Sequence, residues 1–276
     1  RGLIVGGGTA AAGIRVTQPL TVTGGMEALT NGTFTLDAPV NLTESLVVRS
    51  GGVVTHTANP ATVTHPTNEL YKLVAWAGAD IIVDKGGRIT ANGCGYRAGK
   101  GPGAGNVPLH GGTAGNYNYG GGEGDTYGSI AHPVTLGSGC SNINGGHGVG
   151  GGAVRLTAVR EVRVEGSVTA VGAAAGNANY YSGAGGSVWI TAGRLTGTGT
   201  VSANGGDTTM SNAGSGGRVA LYLEDATDFS DWKGFATARG GQQATSLGRT
   251  GAGTVYRKAK GWTLGRGTIE NGDSYI

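Results

Sequence analysis

The sequence has few of the residues that fill a thick globular core and few that carry charge. It contains three Phe, four Trp and two Met in 276 residues, and only 13% of its residues are charged. A narrow interior filled by Val, Ile, Ala and Leu suits this composition better than a large globular core. Hydrophobic residues still make up 38% of the chain, and with so little charge this composition argues against intrinsic disorder.

Runs of charge and long apolar runs are also missing. The net charge of +3 comes from scattered Lys and Arg, and the aromatic residues follow no RNA-binding motif, so we expect no nucleic-acid partner. No apolar stretch reaches the roughly 18 residues of a spanning helix, so we expect no membrane span. The chain begins at Arg1 and not at Met, which leads us to expect a processed product or a part of something longer.

Glycine is abundant and marks an internal repeat. It occupies 59 positions without the period of collagen. Small residues open each segment, two short β-branched runs follow, and Gly closes it. The valines that begin the first run are 34, 31 and 36 residues apart: Val154, Val188, Val219 and Val255. The equivalent positions of the second run are 33, 35 and 33 residues apart: Val168, Val201, Ala236 and Ile269. Two anchors with nearly one period indicate a repeated structural unit.

This repeat predicts a fold in which each unit needs its neighbours. A two-stranded element is marginal in water, whereas stacked units bury the Val, Ile, Trp and Leu side chains at alternating positions and pair their strands in parallel. We therefore predict an all-β fold, a right-handed parallel β-helix (β-solenoid) with a long Gly-rich insertion. A β-sandwich is the alternative. The predicted single domain, 1–276, has N-terminal coils over 1–95, the insertion over 94–152 and C-terminal repeats over 153–276.

The insertion interrupts the repeat after a motif that also occurs in a later repeat. Ile89-Thr90-Ala91-Asn92-Gly93 matches the run from Val201 to Gly205, yet Ile89 and Val168 are 79 residues apart, more than two periods. Long loops in compact domains are usually functional or disordered. We therefore look for a site first in this Gly-rich segment, which holds three of the five histidines: His110, His132 and His147.

The order of several motifs resembles the glycine-rich parallel β-helix segments of large secreted or cell-surface proteins, which are mostly uncharacterised and adhesin-like. The motifs include ESLVVRSGGVVTH, ADIIVDKGGRITANGCGY, LGSGC, GGAVRL, GAGGSVWIT, GTVSANGG, GSGGRVALY and GAGTVYRK. The similarity covers roughly Glu44 to Asp273 and consists of turn glycines and core valines. It implies an extracellular structural or adhesive role, and it carries over no catalytic residue.

The two cysteines stand near the ends of the insertion. In a secreted Gly-rich protein such a pair favours a disulfide, and closing a loop of about 47 residues would remove roughly 4 kcal/mol of denatured-state entropy. We predict a Cys94–Cys140 bond; the alternative is two small thiols that pack as hydrophobes. A zinc site with His132 or His147 matches no known ligand spacing.

Tyrosines of the insertion offer flat rings on which sugars could stack. The candidate ligand-contact residues are Tyr96, His110, Tyr117, Tyr119 and Tyr127. In the alternative interpretation, the rings fix the Gly-rich loop against the repeats by covering apolar surface.

An enzyme is the less favoured interpretation. Parallel β-helices include polysaccharide lyases and hydrolases, which need a base beside a cation or paired carboxylates on one face. Candidate groups fall in the insertion (Arg97, Lys100, His110, Tyr117), but no two acids occupy alternate positions of a repeat strand. We expect no catalytic residue and no cofactor. Calcium at the acidic loop of Glu224, Asp225, Asp228 and Asp231 is an alternative to solvated carboxylates.

These patterns together predict a secreted or cell-surface protein with a structural or adhesive role. It would be a module of a larger surface protein, or a subunit that associates end to end into a filament. A polysaccharide-binding or polysaccharide-cleaving protein is the competing class. Because open strand edges are templates for other chains, we expect self-association or the remainder of a longer chain to cover one or both ends.

Overall fold

The computed structural model describes residues 2–62, 69–104, 108–113, 125–140, 148–174, 181–209, 212–243 and 248–271. Within these ranges the secondary structure consists of strands alone, in sheets of twelve and seven strands. The seven-stranded sheet contains β2 (Ala12–Val16), β5 (Gly32–Leu36), β8 (Val53–Thr55), β11 (Arg88–Thr90), β13 (Ser167–Thr169), β15 (Thr200–Ser202) and β17 (Phe235–Thr237). The twelve-stranded sheet contains β1 (Leu3–Val5), β3 (Leu20–Val22), β4 (Met26–Ala28), β6 (Val40–Leu42), β7 (Leu46–Val48), β9 (Leu73–Ala77), β10 (Ile81–Val83), β12 (Ala153–Val164), β14 (Ser187–Thr196), β16 (Arg218–Leu223), β18 (Thr254–Lys258) and β19 (Arg266–Thr268).

The twelve-stranded sheet branches at its longest strand. Its main order is β1-β4-β7-β10-β12-β14-β16-β18-β19, and a second series, β3-β6-β9, joins it at β12. The first half of β12 pairs with β9 and the second half with β10. A register irregularity between Ala158 and Glu161 separates the two halves. Two rows of short strands therefore merge into one row of long strands.

The predicted column of valines is confirmed. Val154, Val188, Val219 and Val255 are direct register partners on neighbouring parallel strands, and none is more than 7% exposed. They belong to a core that extends from Val5 to Ala259. In the seven-stranded sheet, Val168, Val201 and Ala236 are likewise in register.

The predicted β-helix is wrong. The chain is instead an all-β protein of two largely parallel sheets, and their strand pairing is not shown to form a solenoid. The larger sheet branches at β12 and ends in an antiparallel pair, β18 with β19. The chain reverses between these two strands at a turn in which Gly261 has a φ of 78°, a conformation that glycine adopts without steric cost.

The last predicted repeat is not formed, because the chain turns back after β18 and pairs antiparallel with it. Ile269 was expected to be equivalent to Val201, but it is 72% exposed. The preceding strand, β19, pairs with β18 and not with β17. The expected open end of the repeat is therefore covered at β18 by the chain itself.

The Gly-rich insertion does separate neighbouring strands. Arg88–Thr90 pairs in parallel with Ser167–Thr169, so Ile89 and Val168 are register partners although they are 79 positions apart in the sequence. The described parts of the insertion, 94–104, 108–113, 125–140 and 148–152, contain no named strand.

Candidate functional site

Tyr96 of the insertion is buried, and its hydroxyl group forms a hydrogen bond inside the protein. Its hydroxyl donates to Glu69 Oε1 at 2.6 Å, and Glu69 also pairs with Lys72. Burial raises the pKa of Tyr96, and the hydrogen bond to Glu69 adds to this effect. The phenol therefore stays protonated and holds the insertion against the segment that carries Glu69.

His110 is fully buried between two segments. Its Nδ1 lies 2.7 Å from the carbonyl oxygen of Gly185 and its Nε2 lies 2.8 Å from Thr135 Oγ1. Burial lowers the pKa of His110 to about 3, so the ring is neutral at physiological pH. Since a carbonyl can only accept, the single N–H belongs on Nδ1, and Nε2 accepts from the Thr135 hydroxyl.

Tyr127 lies against His110, with ring centroids 4.6 Å apart. Its hydroxyl donates to the Leu136 carbonyl oxygen at 2.7 Å and is 2.8 Å from Ser138 Oγ. Its own carbonyl accepts from Nε of the buried Arg218 at 2.8 Å. Burial raises the pKa of Tyr127 and lowers that of Arg218.

The structure thus brings Tyr96, His110 and Tyr127 together as an internal polar network, not as an open ligand surface. Tyr117, Tyr119 and His147 lie outside the described residues. The network accounts for the docking of the insertion: a Gly-rich segment has few side chains to bury, so these buried hydrogen bonds fix it in place.

Cys94 and Cys140 are both thiols, and the predicted disulfide is not formed. Cys94 Sγ lies 3.5 Å from the His56 carbonyl oxygen and 3.4 Å from that of Asn92. Burial raises the pKa of Cys94 to about 11 and that of Cys140 to about 12. Sequence spacing gave the size of the loop between them but not the approach of the two sulfurs that a bond requires.

The carboxylates of the acidic loop are not gathered into a set of three metal ligands. Among the described residues, no three His, Cys, Asp or Glu side chains are grouped so that they could hold a metal ion. Asp228 accepts a hydrogen bond from the Ser230 N–H, and its contacts with Ser230 lower the pKa of Asp228. Asp225 faces Lys260 at 3.6 Å. Of the proposed zinc ligands, His132 packs against Trp189 and Tyr222.

A continuous row of side chains on the twelve-stranded sheet is the better candidate for a site. We call it the outer row; successive strands supply Thr21, Asn41, Trp76, Thr157, Thr191, Tyr222 and Lys258. Adjacent members are direct register partners on parallel strands, so they stand about 4.8 Å apart. They alternate along each strand with buried residues and are partly or fully exposed.

Aromatic and cationic groups flank the outer row. Arg155 lies two residues before Thr157, and its guanidinium is 4.2 Å from the Trp189 ring centroid. Tyr222 packs against Trp189 and Tyr256, with ring centroids 6.2 and 5.6 Å apart. Burial, followed by the influence of Tyr256, raises the pKa of Tyr222 to about 12. The flank is therefore a set of mutually packed rings, with a cation laid over one of them.

A segment of the insertion borders this surface. The Tyr222 hydroxyl donates to the Ala131 carbonyl oxygen at 2.7 Å. The His132 ring stacks on Tyr222 with an interplanar angle of 12°, while Trp76 remains 39% exposed further along the row. The insertion thus forms one wall beside the row without covering all of it.

The chemistry of the outer row is that of an open polar and aromatic surface. Its members supply hydroxyl, amide, ammonium and ring groups, and no carboxylate. Glu224 follows β16, and its charge acts on the Tyr222 phenol. Flat rings beside hydrogen-bonding side chains suit a partner that has one apolar face and many hydroxyl groups.

Sequence reasoning missed this row, although its signal was readable. Thr157, Thr191, Tyr222 and Lys258 each stand three residues after an aligned valine of the repeat. Trp was assigned to the interior with Val and Ile. Trp189 instead lies between the buried Val188 and Ile190 and is partly exposed, as the alternation of side chains along a strand requires.

The fold and the outer row define the class: an all-β protein with two largely parallel sheets and an extended surface of polar and aromatic side chains. No protein-family model, no curated protein and no solved structure matches the chain. In the part of the chain that the structure describes, no helix is long and apolar enough to cross a membrane.

Proposed function

We propose that this protein is an extracellular structural or adhesive domain that holds a polysaccharide chain along the outer row. The observation that carries the proposal is the register of seven outward side chains on seven neighbouring strands. Six strand spacings amount to about 29 Å. Such a surface suits an extended polymer better than a small molecule, which binds in an enclosed cleft.

The residue types of the row favour a sugar polymer. The exposed indole of Trp76 offers a flat apolar face for a pyranose ring, and the hydroxyl groups of Thr157 and Thr191 offer hydrogen bonds to sugar hydroxyls. Each contact is weak, but contacts repeated along one polymer add up through a high effective concentration. A rigid row of repeated weak contacts is appropriate to adhesion.

The insertion supports a binding role over a catalytic one. His110 has its ring nitrogens engaged by Gly185 and Thr135 and is fully buried. Nε of Arg97 donates to the Asn59 carbonyl oxygen at 2.8 Å. Groups committed in this way stabilise the fold and are poorly placed to exchange protons with a substrate.

End-to-end association is a second candidate function, because the seven-stranded sheet has open edges in the described part of the chain. There, β2 pairs only with β5, and β17 pairs only with β15. Phe235 on β17 is 53% exposed. Unpaired edges of this kind are templates for another strand. Light scattering and electron microscopy of the protein at micromolar concentration test this function: we expect concentration-dependent filaments, and a dispersed monomer would contradict it.

Affinity electrophoresis through gels that contain soluble polysaccharides tests the main proposal. We expect retarded migration in at least one glycan gel and no release of reducing or unsaturated ends after long incubation. Unretarded migration in every glycan would contradict binding, whereas newly formed chain ends would show that the protein cleaves its ligand.

A further inference from the structure

Two cations beside the aromatic groups indicate which glycans the outer row prefers. Arg155 flanks the row on β12, and Lys258 is its last member, one strand beyond Tyr222. Beside these cations, the positions on the same face of β9, of the first half of β12 and of β14, β16 and β18 hold no acid: Val74, Trp76, Thr157, Trp189, Thr191, Ala220, Tyr222 and Tyr256. Glu161, in the second half of β12, is paired with Arg194. The surface is therefore positively charged at the level of the rings.

Arg155 differs from the other arginines of its own strand and of the next strand. The remaining arginines of β12 and β14 all form ion pairs: Arg160 with Asp80, Arg163 with Asp84 and Arg194 with Glu161. Within the described residues, Arg155 and Lys258 form no ion pair and no side-chain hydrogen bond. Their charges are left for a partner.

Arg155 is also held in a defined place. Its guanidinium packs over the Trp189 ring at 4.2 Å, and a cation over an indole face is attracted to the ring electrons. The N–H groups of the guanidinium fork fit a carboxylate or a sulfate with two parallel hydrogen bonds. Arg155 is thus oriented by Trp189, while its donors have no acceptor among the residues that the structure describes.

We propose that the ligand of the outer row is an acidic polysaccharide, whose sugar rings carry carboxylate or sulfate groups that Arg155 and Lys258 bind. This inference rests on the proposed function and specifies its ligand class. A sugar ring that stacks on Trp76 would place its charged substituent near Arg155, and a chain that continues along the row would bring further substituents to Lys258. Glu224, which follows β16, opposes the binding of an anion at that end, so Arg155 is expected to contribute more than Lys258.

The test compares one glycan backbone with and without charge and adds a sulfated glycan. Binding of the whole protein to polygalacturonate, to its fully methyl-esterified form and to a sulfated galactan is measured by affinity electrophoresis and calorimetry at low and physiological salt. The variants are Arg155→Gln and Lys258→Gln. The matched control is Arg88→Gln, which removes the same charge from an exposed, outward position on β11 of the other sheet. Thermal melting checks that each variant is folded.

We expect tighter binding to a charged glycan than to the esterified one, and a preference between carboxylated and sulfated chains identifies the anion. Arg155→Gln and Lys258→Gln should each weaken binding of the charged glycan by roughly twofold to fivefold and leave binding of the esterified glycan unchanged. The difference should shrink as salt is added, because exposed charges are screened.

Three results would overturn the inference, and they are distinguishable. Equal binding of charged and esterified chains would refute the acidic preference while leaving polysaccharide binding intact. An equal loss in Arg88→Gln would show that net charge acts and that the outer row does not. No binding to any glycan would refute the proposed function together with the inference.

Discussion

The side-chain oxygen of Asn92 accepts a hydrogen bond from the backbone N–H of Val171 at 2.8 Å, although the two residues are 79 positions apart. Asn204 does the same for the N–H of Arg239 at 2.8 Å and also accepts from Thr237 Oγ1 at 2.9 Å. Each Asn lies two residues after the end of its strand. Its side-chain oxygen accepts a hydrogen bond from the backbone N–H that lies two residues after the end of the adjacent strand. The Asn of the repeated Ala-Asn-Gly motif therefore joins neighbouring strands where their ladder ends.

The first prediction concerns this contact. Asn204→Ala leaves the Arg239 N–H and the Thr237 hydroxyl without their acceptor, so we expect unfolding free energy to fall by about 1–2 kcal/mol. Denaturant unfolding monitored by circular dichroism measures the loss. Asn41→Ala is the control, since Asn41 is exposed and its side chain makes no hydrogen bond within the described residues. Equal stability of the two variants would show that the Asn204 contact contributes nothing.

The second prediction concerns the glycines that follow these asparagines. Gly93 has a φ of 61°, as the sequence predicts for a turn. Gly205 is not in the left-handed region; a Cβ there would lie 1.9 Å from the Gly214 carbonyl oxygen. Gly205 is therefore required by the close approach of another backbone segment. Gly272, which follows Asn271 near the end of the chain, lies outside the described residues.

Gly205→Ala should consequently destabilise the protein by more than the roughly 1–2 kcal/mol of a left-handed alanine. Gly267→Ala is the control, because a Cβ at Gly267 meets nothing within 4 Å. Melting temperatures compared by calorimetry check the difference. If Gly205→Ala melts at the same temperature as Gly267→Ala, the close packing around Gly205 is not as described.

The third prediction concerns the thiols. Because burial raises the pKa of Cys94 to about 11 and that of Cys140 to about 12, both remain protonated at pH 8 and should react slowly with iodoacetamide in the native protein. Under denaturing conditions without reductant, mass spectrometry should find both cysteines alkylated. Alkylation that appears only after reduction would mean that the two residues are joined by a disulfide after all.

The fourth prediction concerns pH. His110 has a pKa of about 3 in the folded protein, against 6.5 for an ordinary histidine, because of burial. Between these values the unfolded chain binds a proton that the folded chain does not, so stability is lost as pH falls from 6.5 towards 3. The loss attributable to this residue is at most about 1.4 kcal/mol per pH unit.

Two measurements check this dependence. Unfolding free energies from pH 7 to pH 4 should depend less steeply on pH in His110→Gln than in the native sequence. If that variant does not fold, the imidazole resonances of His110 in the native protein should show no titration above pH 4. An ordinary titration midpoint near 6.5 would contradict the buried, neutral ring.

The valine column could be predicted from sequence because the buried positions repeat with nearly one period, and parallel register follows from that repeat. The architecture could not be predicted. The merging of two strand series in Ala153–Val164 and the antiparallel return at Arg266–Thr268 depend on chain geometry beyond the local pattern. A repeat specifies which strands become neighbours, but not how a sheet branches or ends.

The candidate site could be predicted from the sequence only in part, for a different reason. The sequence singles out the tyrosines and His110 because they are unusual in a Gly-rich segment, but composition does not tell whether a polar ring faces solvent or a buried partner. The buried acceptors of these residues, such as Glu69 and Gly185, come from distant parts of the sequence. The sequence signal of the outer row is the outward position three residues after each aligned valine.

The most direct test of the central claim compares two exposed aromatic residues on different sheets. Trp76 is a member of the outer row and is 39% exposed; Phe235 lies on β17 of the seven-stranded sheet and is 53% exposed. Using the polysaccharide that retards the native protein most, calorimetry measures the affinity of Trp76→Ala and of Phe235→Ala. If the outer row is the binding surface, Trp76→Ala lowers the affinity roughly fivefold to tenfold, because a stacking contribution of about 1 kcal/mol is lost. The affinity of Phe235→Ala is then unchanged. Unchanged affinity in Trp76→Ala, or an equal loss in both variants, would contradict the assignment of the binding surface to the outer row.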